Sequence, residues 1–281
     1  MGQKDISEKM LADYNDVFAD IVNVLLFDGK KMIDPKSLEQ SKVRSQYKAD
    51  DSLLHEMERD VAKYWKEKEV TIALYGMENQ SKSERIMPVR VIGYDGTTYR
   101  SQLLDDTQDE IYPVVTIVLH FGKERWEHPK NLKEVIHVPK VLDAYVNDYK
   151  MHVFEIAWLT DEQVNMFQSD FRIVAEYFTQ TRKNDYYVPS EQEIRHVDEV
   201  LKLLAVFGGV TEAEKLLKSG DTEGVKTMGN VFGRMIEKGK AEQLITNIES
   251  LQSKLEMSLD EALAVLDITK ERYDEAKRLL Q

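Results

Sequence analysis

RDVAKYWKEKEVTIALYGMEN, residues 59–79, is the stretch that decides the fold of this chain. It contains two runs rich in apolar and β-branched residues, 59–65 and 70–79, separated by the charged residues KEKE. Two strand-like runs joined by a short polar turn are typical of an antiparallel hairpin. We therefore expect this hairpin to form part of a central sheet.

The segments around the hairpin predict helices and two further strands. Residues 13–27 and 83–104 have the period of helices, and a polar, lysine-rich connection lies at residues 36–48. Residues 111–122 and 149–159 are predicted strands, and the almost unbroken apolar run of the first indicates burial on both of its faces. The order of elements predicts an α/β fold with a mixed central sheet flanked by helices.

The second part of the chain is predicted to be all-helical. Pro189 and Ser190 mark the joint, so the sequence predicts one region at residues 1–187 and a helical C-terminal region at residues 188–281. No internal repeat of 20 to 50 residues is present in the sequence.

Three features of the C-terminal region guide its interpretation. Apolar residues at three-to-four spacing run from Met228 onward, and Gly239 is expected to interrupt them. Ser258 and Thr269 are predicted N-caps of two short helices. Two such helices could bind DNA, but their many acidic residues favour a role in docking or homo-oligomerisation.

Composition excludes several classes of protein. The 281 residues have a formal net charge of −13 and include no cysteine, so disulfides, thiolate nucleophiles and cysteine-bound metals are ruled out. A mean hydropathy of −0.48 and the lack of a long apolar run favour a soluble, cytoplasmic protein without a membrane span. The acidic balance argues against non-specific coating of nucleic acid, although local basic patches remain compatible with it.

A group of polar residues lies where the hairpin strands begin and end. Glu78 and Gln80 share one face of the second strand, because alternate strand residues point the same way. Asp60 begins the first strand, so in an antiparallel pair the carboxylates of Asp60 and Glu78 are expected to converge. Two carboxylates suit Mg²⁺ or another divalent cation such as Mn²⁺ or Ca²⁺. The same residues also fit a surface ion pair between Asp60 and Arg59 and an ordinary solvated turn.

Three ordered segments carry a family resemblance. They are ERDVAKYW (58–65), IALYGMENQSKSERIMPVRVIGYDGTTYRSQL (72–103) and YPVVTIVLHFGKERWEHPKNLKEVI (112–136). Together they resemble the recombination-promoting nuclease and putative transposase family, a branch of the PD-(D/E)XK nuclease superfamily whose motif appears as Glu-x-Gln. The resemblance covers residues 10 to about 185.

This resemblance implies a restriction-endonuclease-like core and a metal-dependent DNA endonuclease that hydrolyses phosphodiester bonds in recombination or in mobile elements. Asp60 and Glu78 would hold the metal, and Gln80 stands where the superfamily motif has lysine. A glutamine cannot supply the positive charge of that lysine, so Lys63 and Lys82 are the candidates to supply it. The alternative is a catalytically inactive nuclease-like module in nucleic-acid binding or protein interaction, favoured by the missing lysine and the acidic charge.

Further candidates have weaker patterns. Asp16, Asp20 and Asn23 form a polar stripe on the first helix, for which a solvated face is the favoured interpretation. The functional alternative is that Asp16 or Asp20 is the additional acidic residue that first helices of this superfamily contribute. Arg90 is expected either to contact phosphate or to form a structural salt bridge.

The histidines and tryptophans are assigned no site. The spacing of His120 and the other histidines does not fit zinc ligands. Trp126 and Trp158 are expected to pack in or near the core.

Overall fold

The computed structural model describes residues 10–40, 61–77, 84–104, 110–220 and 222–280. Within these ranges the strands are β1 (Leu38–Gln40), β2 (Val61–Trp65), β3 (Val70–Met77), β4 (Val114–His120) and β5 (His152–Glu155). The helices are α1 (Asn15–Phe27), α2 (Met87–Leu103), α3 (Leu132–Val135), α4 (Asp161–Met166), α5 (Phe171–Asn184), α6 (Val197–Gly208), α7 (Thr211–Ser219), α8 (Met228–Leu255), α9 (Leu259–Val265) and α10 (Lys270–Leu279). The predicted mixed sheet flanked by helices is confirmed.

The sheet has the order β1-β2-β3-β4-β5. β1, β2 and β3 pair antiparallel, whereas β3, β4 and β5 pair parallel. Val61 pairs with Leu74 and Trp65 with Val70, so the predicted hairpin is confirmed, with its turn at residues 66–69. α2 connects β3 to the parallel strand β4, as a crossover between parallel strands requires.

β4 separates two hydrophobic layers, which confirms its predicted burial on both faces. Ile117 and Leu119 belong to a core shared with Phe18 of α1 and with α5. Val118, which points the other way, belongs to a second core with Val91 of α2. Each such buried side chain contributes about 1.5–3 kcal/mol, so the sheet is held from both sides.

Three details differ from the sequence-based expectation. β1, Leu38–Gln40, lies inside the stretch expected to be a polar connection; it is short, and Glu39 and Gln40 are exposed, so no alternation identified it. α8 continues through Gly239, because the cost of one helical glycine, about 1 kcal/mol, does not end a long helix. The strand expected at residues 149–159 is limited to β5 and is followed by a 3₁₀ turn at Ile156–Trp158.

The C-terminal helices contribute to two different cores. Val200 and Leu201 of α6 and Met228 of α8 join the same core as α1, so this core continues past residue 187, and the division into two regions stays a prediction. Further along α8, Ile248 packs with α9 and with Tyr273 of α10 in a separate small core.

The predicted caps of the last two helices are confirmed. The Ser258 hydroxyl accepts the Glu261 N–H, and Glu261 in turn accepts the Ser258 N–H, which completes a capping box. Thr269 accepts the Arg272 N–H without a return bond. None of the helices in the described ranges is long and apolar enough to span a membrane.

Candidate functional site

Four strands begin or end along the same side of the sheet, across the strand direction, and we call this side the site edge. Met77 ends β3, His120 ends β4 and Glu155 ends β5, and these three residues are aligned in register. Val61 begins β2 at the same edge, paired with Leu74 near the end of β3. In the sequence, Asp60 immediately precedes β2 and Glu78 immediately follows β3. β2 therefore begins and β3 ends at the site edge, and the two candidate residues are their neighbours in sequence.

The main candidates themselves lie outside the described residues. These are Asp60, Glu78, Gln80 and Lys82. Within the described ranges, no three histidine, aspartate or glutamate side chains are grouped so that they could hold a metal ion. Convergence of the Asp60 and Glu78 carboxylates thus stays a prediction; the strand register shows only that the strand ends next to them in sequence lie at one edge.

Lys63 is a buried lysine in the middle of β2. Its side chain lies on the sheet face that packs against α1, and the residue is only 3% exposed. Its Nζ donates to the carbonyl oxygen of Asp13 and to Oε1 of Gln40, both at 2.8 Å. Lys63 therefore ties β2 to the edge strand β1 and to the turn before α1.

The polar stripe of α1 makes tertiary contacts. Asn23 is buried and forms three hydrogen bonds of 2.9 to 3.0 Å with the backbone of residues 32–33, so the favoured solvated interpretation is wrong for this residue. Oδ2 of Asp20 accepts two backbone N–H groups, from residues 168–169, at 2.8 and 2.7 Å. Both side chains thus join α1 to neighbouring loops.

Asp16 and Arg90 have different surroundings. Oδ2 of Asp16 lies 3.6 Å from Nε2 of His196 and 4.0 Å from a guanidinium nitrogen of Arg195. Asp16 therefore faces the start of α6. Arg90, in the first turns of α2, donates to the hydroxyl of Tyr94 at 3.3 Å. Neither contact decides whether these residues take part in chemistry, which stays a prediction for both.

The site edge contains two titratable residues that the sequence did not single out. His120 is buried, and its Nε2 lies 3.1 Å from the Glu124 carbonyl, so Nε2 carries the hydrogen in the neutral ring. Its ring meets Trp126 edge to face, which confirms the expected packing of that tryptophan. Glu155 accepts the Trp126 N–H at 2.9 Å and Nη1 of Arg125 at 3.1 Å. The loop after β4 is therefore fixed against the end of β5.

A buried carboxylate, that of Asp95, lies between α2 and β4. Asp95 accepts hydrogen bonds from the hydroxyls of Thr116 and Tyr149. Burial raises the pKa of the Asp95 carboxyl above its usual value, and the two hydroxyl donors offset part of that rise. Asp95 thus anchors α2 to the sheet at the expense of holding a carboxyl group away from water.

This shift predicts a pH dependence of stability. Because the pKa is raised in the folded state, folded Asp95 retains its proton at pH values where the unfolded chain has lost it. The loss of folding stability caused by ionising buried Asp95 is absent below the ordinary carboxyl pKa of about 4. It grows as pH rises through the raised pKa of the folded state. We expect Asp95→Asn to gain stability over the wild type as pH rises through this window, measured by urea unfolding at several pH values. Asp143→Asn, an exposed control, should show no such trend; a pH-independent effect of Asp95→Asn would contradict the assignment.

Comparison with known proteins identifies a family. A family model described as "Putative transposase, YhgA-like" matches residues 51–203. The matched range contains β2 to β5 with α2 and α5, and it includes the sequence positions of Asp60, Glu78 and Gln80. No curated protein and no solved structure matches the chain.

Proposed function

The chain belongs to the YhgA-like putative transposase family, whose model spans more than half of it, and from this membership we propose a divalent-metal-dependent DNA endonuclease. The resemblance seen in the sequence is thereby confirmed at the level of the family. The family indicates a role in recombination or mobile elements. To this role the proposal adds a specific reaction, the hydrolysis of phosphodiester bonds.

The site edge is the observation that carries this proposal. β2 begins and β3 ends at one edge of a mixed sheet, and Asp60 and Glu78 adjoin those two strand ends. Two carboxylates form a donor set that fits a hard divalent cation, which prefers oxygen ligands. When bound, such a cation supplies Lewis acidity toward the phosphate and activates water.

Each residue has a role in the proposal. Asp60 and Glu78 hold the cation, and the Gln80 amide orients the attacking water or contacts the scissile phosphate. Lys63 or Lys82 supplies the positive charge that Gln80 lacks. An antiparallel hairpin leading into parallel strands, with helices on both faces, supports a restriction-endonuclease-like core for this arrangement.

Metal dependence is the test of the proposal. We expect purified protein to convert supercoiled plasmid to the nicked form with Mg²⁺ or Mn²⁺, because hydrolysis depends on the cation. Chelation by EDTA should abolish nicking, and added Mg²⁺ should restore it. Absence of nicking with Mg²⁺, Mn²⁺ and Ca²⁺ would refute the endonuclease.

The second candidate is a catalytically inactive member that binds nucleic acid or protein. Gln80 at the lysine position favours it, since an amide carries no charge for the transition state. This candidate predicts DNA binding without nicking under any metal. The two candidates therefore differ in the plasmid assay.

A further inference from the structure

Two arginines lie against one tryptophan at the surface. The guanidinium carbons of Arg125 and Arg182 are each 4.0 Å from the centre of the Trp158 ring system. The two cations are thus at most twice that distance apart. We call these three residues the arginine–tryptophan cluster. Attraction between each guanidinium and the indole stabilises the cations but does not neutralise them.

The cluster lies beside the site edge. Trp158 is in the 3₁₀ turn that directly follows β5, and Arg125 is in the loop that follows β4. The Trp158 Nε1 donates to the Lys123 carbonyl at 3.0 Å, which joins the two loops. Arg182, in the last turn of α5, donates from Nε to the Ala157 carbonyl at 2.6 Å. Trp158 and Arg182 are therefore held by bonds to backbone carbonyls, and Arg125 is held by its bond to the Glu155 carboxylate.

Among the described residues, several guanidinium donors of the cluster have no protein acceptor. Arg125 is 56% exposed and uses Nη1 for Glu155. In the part of the chain that the structure describes, neither Nη atom of Arg182 has a hydrogen-bond partner. The fixed fork of a guanidinium matches the oxygen pair of a phosphate, and prior stacking reduces the entropy lost on binding.

One neighbouring carboxylate, Glu155, pairs with Arg125 at 3.1 Å and offsets part of its charge, whereas Arg182 has no carboxylate partner among the described residues. Asp161 and Asp185 pair with Lys183 and Lys123, and their side chains are 81% and 92% exposed. Such exposed pairs contribute little and are screened by salt. A chain of net charge −13 repels DNA at long range, so binding requires a local group of cations of this kind.

We propose that the arginine–tryptophan cluster binds the phosphate backbone of DNA next to the site edge. The proposal rests on the proposed function, because it concerns the substrate of that same site. Arg125 and Arg182 contact phosphate oxygens, and Trp158 is a positioning residue for both. The contact is independent of base sequence, since phosphates carry no sequence information.

Binding without metal tests the cluster separately from cleavage. The full chain is titrated in EDTA against a short fluorescent DNA duplex, and against its single strand, over a range of salt concentrations. For the double variant Arg125→Gln/Arg182→Gln we expect affinity to fall roughly tenfold or more, since two charge-assisted hydrogen-bonding groups are lost. The slope of log affinity against log salt should decrease by about two, because about one counterion is released per phosphate contact.

The matched control is Lys66→Gln/Lys68→Gln. These lysines are exposed in the turn between β2 and β3, at the opposite edge of the sheet, and their replacement gives the same change in net charge. We expect the control to retain the wild-type affinity and slope. The variant Arg125→Lys/Arg182→Lys should retain the slope but only part of the affinity, because lysine keeps the charge without the fork.

The outcomes separate this inference from the endonuclease. Wild-type binding and slope in the glutamine variant, or no DNA binding by the wild type, would overturn the cluster whatever the plasmid assay shows. A lower melting temperature with an unchanged slope would indicate a purely stabilising role and would overturn it too. Cluster-dependent binding by a protein that never nicks plasmid would support the inference while refuting the endonuclease.

Discussion

Replacing Asp60 with asparagine, or Glu78 with glutamine, should each slow plasmid nicking by roughly 10³-fold. Each change keeps the size of the side chain and removes one of two negative charges that attract the cation. A catalytic metal contributes several kcal/mol to transition-state stabilisation, and each 1.36 kcal/mol corresponds to about a tenfold change in rate. The measurement is the single-turnover rate of nicking as a function of Mg²⁺ concentration.

Glu39→Gln is the matched control for these two variants. Glu39 is an exposed carboxylate of the same sheet, in β1, where it forms an ion pair with Lys66. Its replacement should leave the nicking rate unchanged. Wild-type rates for Asp60→Asn or Glu78→Gln would remove that residue from the proposed metal centre. Thermal melting of all variants would distinguish lost activity from lost folding.

Replacing Asp170 with alanine should lower the free energy of unfolding by about 3 kcal/mol or more, since hydrogen bonds to a charged group contribute about 1.5–3 kcal/mol each. Asp170 is 2% exposed, and its Oδ2 accepts the backbone N–H groups of Arg195 and His196 at 2.9 and 2.7 Å. Alanine would leave both groups without their acceptor just before α6. The measurement is the midpoint of urea unfolding together with its slope.

Two companions make the Asp170 test specific. Asp170→Asn retains an oxygen acceptor, so we expect it to lose only about 1 kcal/mol, the difference between a charged and a neutral acceptor. Asp143→Ala removes an exposed carboxylate paired with Lys133 and should cost less than about 1 kcal/mol. Equal losses in Asp170→Ala and Asp143→Ala would show that the buried bonds do not hold α6 in place.

The elements that the sequence predicted well are those with strong local signals. The β2–β3 hairpin has two apolar runs around a charged turn, and β4 has an almost unbroken apolar run that needs two covering layers. Ser258 and Thr269 have the side chains that cap helices. In each case a few adjacent residues carry the information.

What the sequence did not predict depends on contacts between distant positions. Asn23 is polar, yet it is buried because the turn at residues 32–33 offers three backbone partners that no periodicity shows. β1 is a strand because its three residues pair with β2 in the sheet. Arg125, Trp158 and Arg182 come from three separate segments and form a cluster only once β4, β5 and α5 are packed.

For the candidate site, the sequence predicted the hairpin next to it, and the site residues themselves stay a prediction. The pairing of β2 with β3 places the positions that adjoin Asp60 and Glu78 at one edge, as the hairpin pattern indicated. Family membership is confirmed, whereas the ligands of the metal and the part played by Gln80 stay predictions. His120 and Glu155 were missed because their positions at the site edge follow from the parallel register, which a sequence pattern does not specify.

The helix α8 begins in the core that contains α1 and ends in the small core of α9 and α10. Its 28 residues correspond to a rod about 40 Å long, at 1.5 Å per residue. A rod of this kind fixes angle as well as distance, since each residue advances the helix by about 100°. The number of residues in α8 therefore determines the direction in which α9 and α10 point.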